Sequence, residues 1–378
     1  MNNRIWLSPP HTCGKEIDFI QNAFDKNWIA PLGENVTGFE QDICRFLGKN
    51  VHATAVNTGT AALHLALIIL GVKRDDYVIC QDLTFIATVN PAVYLGAIPV
   101  LVDSEKDTWN MSPDFLEIAI KDCLKKGKKP KAIVWGNLYG MPAKIDEIKQ
   151  IAQYYEISLL EDAAESLGSK YKGDYCGTFG DIAMISFNGN KIITTANGGV
   201  LLSGNKVFTD KARFLASQAK DNAPHYQHST IGYNYALSNI SAGIGRGQMI
   251  VLPERIAARR ANNAFYRKAF AEISGIEVHK EPNENYLSNH WLSCILVEPK
   301  LTGGITREDI RLKLGQCEIE TRPLWKPMHL QPLFKDCAFY GDETSGELFE
   351  RGLCLPSGSN LKQEELELVK EKVWQVFK

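Results

Sequence analysis

Residues 52–70, HATAVNTGTAALHLALIIL, carry the reading on which the fold turns. His52–Val56 is a short apolar run of strand length. Asn57-Thr58-Gly59 breaks it, and Thr60–Leu70 then continues with helix-forming apolar residues. The same unit recurs downstream. Tyr77–Cys80 reads as a strand and Phe85–Leu95 as a helix. Pro99–Val102 and Pro113–Leu124 repeat the pair. Ala132–Trp135 is followed by a helix that puts Ile145, Ile148, Ile151, Ala152 and Tyr155 on one face. Ile157–Leu160, Ile182–Phe187 and Val200–Ser203 add three strands. Alternation of this kind predicts an α/β fold with a large, mostly parallel seven-stranded sheet and helices on both faces.

Beyond Gly247 the texture changes. Gln248–Phe270 predicts one long helix, with Pro253 its only interruption. Ile276–His279 and Trp291–Val297 read as strands, and Gln363–Phe377 as an amphipathic helix. The expected division is a large α/β domain over 1–247 and a smaller α+β domain over 248–378. No repeat or flexible linker separates them, so a shared interface is expected.

Composition narrows the function classes. The 378 residues are 44% hydrophobic and 23% charged, with a formal charge of -2. That is ordinary globular usage and excludes a chain-wide basic surface for nucleic acid. No apolar run approaches the ~18 residues of a membrane span. The opening MNNRIWLSPPH has no apolar core and does not read as a signal peptide. Nine cysteines without a CxxC pair read as reduced thiols of a cytoplasmic protein, and no metal site is expected.

Three motifs carry chemistry. Asn57–Leu63 joins a strand to a helix N-terminus, whose free N–H groups and positive dipole end suit a phosphate. The bland alternative is a threonine cap without a ligand. Leu159-Leu160-Glu161-Asp162 puts acids at the carboxyl end of a strand, where open α/β sheets bind ligands. Its alternative is a helix cap by Asp162. Ser186-Phe187-Asn188-Gly189-Asn190-Lys191-Ile192-Ile193 sets a lysine past a strand, beside apolar residues. A lysine partly shielded from water is a usable amine nucleophile, whereas most single lysines are solvated surface charges. A phosphate cradle, a strand-end carboxylate and a shielded amine, in that order on one sheet, are what pyridoxal 5′-phosphate requires.

NTGTAALHLAL, DLTFIATVNPAVYLGAIPVLVD, EDAAESLGS, GTFGDIAMISFNGNKIITTANGGVL and GYNYALSNISAGIGRGQ together resemble the fold-type I aminotransferases of the DegT type, which act on nucleotide-linked keto sugars. The likeness runs from LSPPH to RPLWKPMHLQPLF and LCLPSGSNL. It is closest to the UDP-N-acetylbacillosamine-pathway 4-aminotransferases, through NWIAPLGENVTGFE, NGNKIITT and YNYALSN. The resemblance implies that Lys191 forms a Schiff base with the cofactor and that Asp162 partners its ring nitrogen. It implies Thr60 and Ala61 as backbone phosphate ligands, Ser186 as a hydroxyl ligand and Phe85 as the stacking aromatic. Glu165 falls near the cofactor's phenolic oxygen, where many relatives carry Gln or His. Asn239 is expected to reach the phosphate of a neighbouring subunit, which implies a homodimer with shared sites. The lysine loop of relatives often ends Gly-Glu-Gly-Gly, whereas this chain has Ala196-Asn197-Gly198-Gly199.

The expected reaction is two-stage amino transfer from L-glutamate to C4 of UDP-2-acetamido-2,6-dideoxy-4-keto-glucose. Asn27 and Trp28, with Arg322, Trp325 and His329, are the candidates for the nucleotide-sugar contacts, since guanidinium grips diphosphate and indole stacks on uracil. Packing at a domain interface is the alternative for each. Rival readings are a transaminase for GDP- or dTDP-linked 3- or 4-keto sugars and a non-catalytic nucleotide-binding protein. A sugar dehydratase of this family would carry His in place of Lys191. A dehydrogenase is disfavoured because no GxGxxG follows the first strand.

Overall fold

A computed structural model describes residues 4–48 and 50–378. Its main sheet comprises β1 (His52–Val56), β2 (Tyr77–Gln81), β3 (Ile98–Val102), β4 (Ala132–Gly136), β5 (Ser158–Asp162), β6 (Ile182–Ser186), β7 (Gly199–Ser203) and β8 (Ala338–Tyr340). Their order is β1-β7-β6-β5-β4-β2-β3-β8. All run one way except β7, which pairs antiparallel with both β1 and β6. The sheet is therefore mostly parallel, as expected, but it has eight strands and not seven. The added strand comes from the far end of the chain and pairs in parallel with β3. It is only three residues long, AFY, too short for a periodic signal.

Two helices precede β1: α1 (Glu16–Asp25) and α2 (Glu34–Leu47). Then α3 (Gly59–Ile69) connects β1 to β2. Ala61 to Leu67 are all buried, which explains why this helix is apolar on every side. The helix expected over 85–95 is instead a single 3₁₀ turn, Ile86–Thr88, and a short helix, Asn90–Tyr94. Pro91 has no N–H to continue the first turn but suits the start of the second. The long helix expected from Gln248 is two helices, Asn239–Ile250 and Leu252–Ala269. They part at Val251, and Pro253 sits in the first turn of the second. The 247/248 division falls inside the first of them.

The smaller sheet is antiparallel, in the order Ile276–Val278, Ser293–Val297, Gly352–Leu355, Arg322–Pro323. The N-terminal stretch lies across it. Ile5 bridges Ile319, and the Ser357 N–H donates to the Leu7 carbonyl at 2.8 Å. Residues 5–8 are thereby carried back towards the loop that follows β6. Among the described residues no helix is long and apolar enough to cross a membrane.

Candidate active site

The register of the main sheet builds the site. Gly199, the first residue of β7, pairs with Val56 on one side and with Ser186 on the other. Asp162 pairs with Gly136 and with Met184. The carboxyl ends of β1, β4, β5 and β6 thus meet at one edge, beside the start of β7. A cavity of about 230 Å³ opens there, lined by Thr58, Thr60, Phe85, Asp162, Ser186 and Lys191 among others.

The N-terminus of α3 faces this cavity. Thr58 caps it, its hydroxyl oxygen accepting the Ala61 N–H at 2.9 Å. Ala61 was expected to offer that N–H to a phosphate, and here the cap takes it. Glycine is required next to this turn. A Cβ on Gly199 would stand 2.5 Å from the Thr58 carbonyl carbon and 2.6 Å from the Gly59 nitrogen. One on Gly59 would stand 3.1 Å from the Ser186 Cβ. These close approaches leave the backbone uncovered where an anion would sit.

Asp162 is 7% exposed. Its carboxylate accepts the Thr88 hydroxyl at 2.7 Å and the Ala164 N–H at 3.1 Å. Thr84 lies 2.8 Å from Thr88 and extends the chain of hydroxyls. Burial pushes the Asp162 pKa up, against these hydrogen bonds and the charge of Lys191. A cationic partner in the cavity would relieve that cost.

Lys191 sits on a loop folded back between β6 and β7. The Phe187 N–H donates to the Gly198 carbonyl, and the Thr195 N–H to the Phe187 carbonyl. Ile192 and Ile193 are buried and pin the loop to the core. The amine is left in the cavity, 3.5 Å from Glu165 Oε1 and 4.1 Å from the centre of the Trp291 ring. Glu165 also accepts the Tyr139 N–H at 2.7 Å and the Trp325 indole N–H at 3.3 Å. Burial raises the Glu165 pKa, opposed chiefly by the charge of Lys191. Phe85 is 49% exposed, with its ring 5.1 Å from that of Trp325. Lys191, Asp162, Glu165, Phe85, Ser186, Thr60 and Trp325 therefore converge.

Five other sequence candidates stand elsewhere. Asn239 is 2% exposed and its side chain stays within its own chain. Its oxygen accepts the Asn35 N–H at 3.0 Å, at the start of α2, and its amide donates to the Trp28 carbonyl at 3.0 Å. It fastens the turn between α1 and α2. Asn27 and Trp28 lie on that turn, Asn27 with φ 52°, and do not line the cavity. His329 also lies away from both cavities. Its Nδ1 is 2.8 Å from Asp82 Oδ2 and its ring stacks on Phe339, so it ties the segment before β8 to the end of β2. Arg322 is exposed, paired with Glu320 at 3.0 Å. It edges a second cavity that shares Asn190 and Trp325 with the first.

The structure adds residues that sequence reasoning missed. Thr84 and Thr88 stand four apart, the only signal that could have found them. Tyr139 adopts φ 54°, turns its N–H to Glu165 and accepts the Trp325 N–H at its hydroxyl. Trp291 comes from the smaller sheet's segment, and nothing local marks it.

A mostly parallel sheet with an amine, a buried carboxylate and a helix N-terminus at one edge defines the fold-type I aminotransferases, enzymes that depend on pyridoxal phosphate. The profile of the DegT/DnrJ/EryC1/StrS aminotransferase family matches residues 11–374, and the chain belongs to that family. It is 48% identical to EpsN of Bacillus subtilis, whose name places it among pyridoxal phosphate-dependent aminotransferases, over 100% of this chain and 97% of EpsN. It is 36% identical to a GDP-perosamine synthase of Escherichia coli O157:H7, over 96% of each chain. The pyridoxal phosphate form of the sugar aminotransferase Spr1654 from Streptococcus pneumoniae superposes with a TM-score of 0.89 at 26% identity, covering 99% of this chain and 98% of that one. The protein is thus a sugar transaminase that uses pyridoxal phosphate.

Proposed function

We propose that this transaminase moves an amino group from L-glutamate to C4 of UDP-2-acetamido-2,6-dideoxy-4-keto-glucose, with Lys191 and Asp162 as its catalytic residues. The convergence of Lys191, Asp162 and the start of α3 on one cavity carries the reading. Pyridoxal phosphate, when bound, supplies an aldehyde carbon and an electron-withdrawing ring that stabilises negative charge on the substrate. The residues fit it. The open backbone at Gly59 and Thr60, with the Ser186 hydroxyl, would hold the phosphate. Asp162 would hold the ring nitrogen, Lys191 the aldehyde, and Phe85 would cover the ring.

Lys191 would then have two tasks: to anchor the cofactor, and to carry a proton to and from the donor's Cα. Glu165 and the face of the Trp291 ring stand on either hand of its amine and restrict where it points. The Thr88 and Ala164 hydrogen bonds oppose the effect of burial and favour the Asp162 carboxylate, which would hold the ring nitrogen of the bound cofactor.

The nucleotide would extend into the second cavity, with Arg322 near its diphosphate and Trp325 against its base. Phe24, Trp28, Ile29 and Leu32 are large apolar residues exposed around one turn, which supports a homodimer. In such a dimer Asn27 and Trp28 would reach the partner's site and not their own. The UDP-linked substrate rests on the likeness of residues 27–40, 188–195 and 233–239 to the bacillosamine-pathway enzymes. A second reading, a GDP-linked 4-keto sugar, is favoured by the similarity to the GDP-perosamine synthases. Mass spectrometry of products from UDP-, GDP- and dTDP-linked keto sugars with L-glutamate decides between them. A UDP-4-amino sugar is expected. Turnover of GDP- or dTDP-linked sugars alone would replace this substrate.

A further inference from the structure

Arg259 is a buried cation without an acid. It is 1% exposed, and its hydrogen bonds among the described residues go to a carbonyl and a hydroxyl, none to a carboxylate. Burial and the charge of Arg255 draw its pKa down to about 9, so the guanidinium is still charged at neutral pH. Burying an unpaired charge is costly, and its Nε has no hydrogen-bond partner among the described residues. Its two terminal nitrogens are engaged with unusual purpose.

One nitrogen donates to the Trp291 carbonyl and the other to the Ser8 hydroxyl at 2.9 Å. Ser8 in turn donates to the Asn190 carbonyl at 2.6 Å. The Trp291 indole N–H donates to that same Asn190 carbonyl at 2.8 Å. Asn190 immediately precedes Lys191, and the Trp291 ring lies 4.1 Å from the Lys191 amine. Both arms of Arg259 therefore end on the peptide that carries the lysine, and one of them also sets the ring against the amine. Three remote segments meet here: the N-terminal stretch, the Leu252–Ala269 helix and the segment before Ser293.

We propose that Arg259 is a positioning residue for Lys191, acting through Ser8 and Trp291. The carbonyl of Asn190 accepts two hydrogen bonds, which fixes the plane of the Asn190–Lys191 peptide. The direction of the lysine side chain follows from that plane. A nucleophile that must first form a bond to the cofactor and later carry a proton needs this restraint, because small misplacements are expensive in rate. The inference rests on Lys191 being the anchor.

Ser8→Ala removes only the bridging hydroxyl, and Arg259→Lys keeps the charge but loses the two-armed grip. Each is expected to lower kcat roughly tenfold while KM for L-glutamate stays within about twofold. The double variant should be little worse than the poorer single one, since both break the same bridge. The separating measurement uses apoprotein. Reductive methylation followed by peptide mapping gives the labelling rate of Lys191 relative to the exposed Lys206. That ratio should change several-fold in both variants, and it should do so in Ser8→Ala with an unaltered melting profile. Wild-type labelling ratios and wild-type kcat in Ser8→Ala and Arg259→Lys would overturn the proposal. So would a lowered melting temperature in Arg259→Lys with an unchanged ratio. Borohydride trapping of cofactor-loaded wild type tests the anchor separately: a pyridoxyl label on another lysine would remove Lys191 itself, whatever the variants do.

Discussion

Asp82 and Asp103 follow β2 and β3 as Asp162 closes β5, yet the two regions serve different ends. Asp103 is fully buried, and its two oxygens accept four backbone N–H groups, from Ser104, Asp342, Thr344 and Ser345. It caps the helix Thr344–Arg351 from across the molecule. Asp82 is equally buried, and accepts the His329 N–H and ring nitrogen and the Ser345 hydroxyl. The C-terminal segment covers both acids and uses them as fasteners. No such segment covers Asp162, which keeps a cavity in front of it. An acid at a strand end is thus a site only where the rest of the chain leaves it uncovered.

The sharpest way to break this contrast is Asp162→Asn, which keeps the volume and removes the charge. Turnover should fall roughly a thousandfold or more, with an unchanged far-ultraviolet spectrum. Near-normal turnover would make Asp162 another fastener. Asp103→Ala should do the reverse. It strands several buried N–H groups and should cost about 3 kcal/mol of stability, read from denaturant midpoints, while kcat per folded molecule holds. A large loss of kcat without loss of stability would erase the distinction from the other side.

The smallest effect sharpens the comparison through pH. Burial alone would lower the His329 pKa, but the Asp82 hydrogen bond and the charges of Asp82 and Glu343 outweigh it and raise it. The folded state therefore favours the imidazolium. Its stabilisation is complete below the unfolded value of about 6.5 and fades as pH rises through the higher folded value. The melting temperature of wild type should exceed that of His329→Gln most near about pH 6, with the gap closing in the alkaline range. A gap that widens with pH would show that His329 is held neutral.

Much of the edge that lines the cavity was legible because it is local. Gly-containing turns, a strand-end acid and a lysine beside Ile192 and Ile193 are each readable within a few residues. The candidates that the structure places away from the cavity are those held by distant partners. His329 and Asn239 are polar residues in promising stretches, but each is spent on a hydrogen bond to a segment more than 200 positions away. Thr88, Tyr139 and Trp291 went unseen for the converse reason. Nothing in their own neighbourhoods shows that folding brings them to Asp162, Glu165 and Lys191.

By itself the sequence determined the alternation of strand and helix, hence the parallel sheet and the edge at which its loops collect. It also determined the chemical types present at that edge, because backbone hydrogen bonding and apolar periodicity act over short separations. Tertiary structure alone decided which acids stay open to the cavity, which strand is eighth, and what stands around the amine of Lys191. Those outcomes depend on which remote segment satisfies a buried polar group, and that is settled only when the whole chain closes.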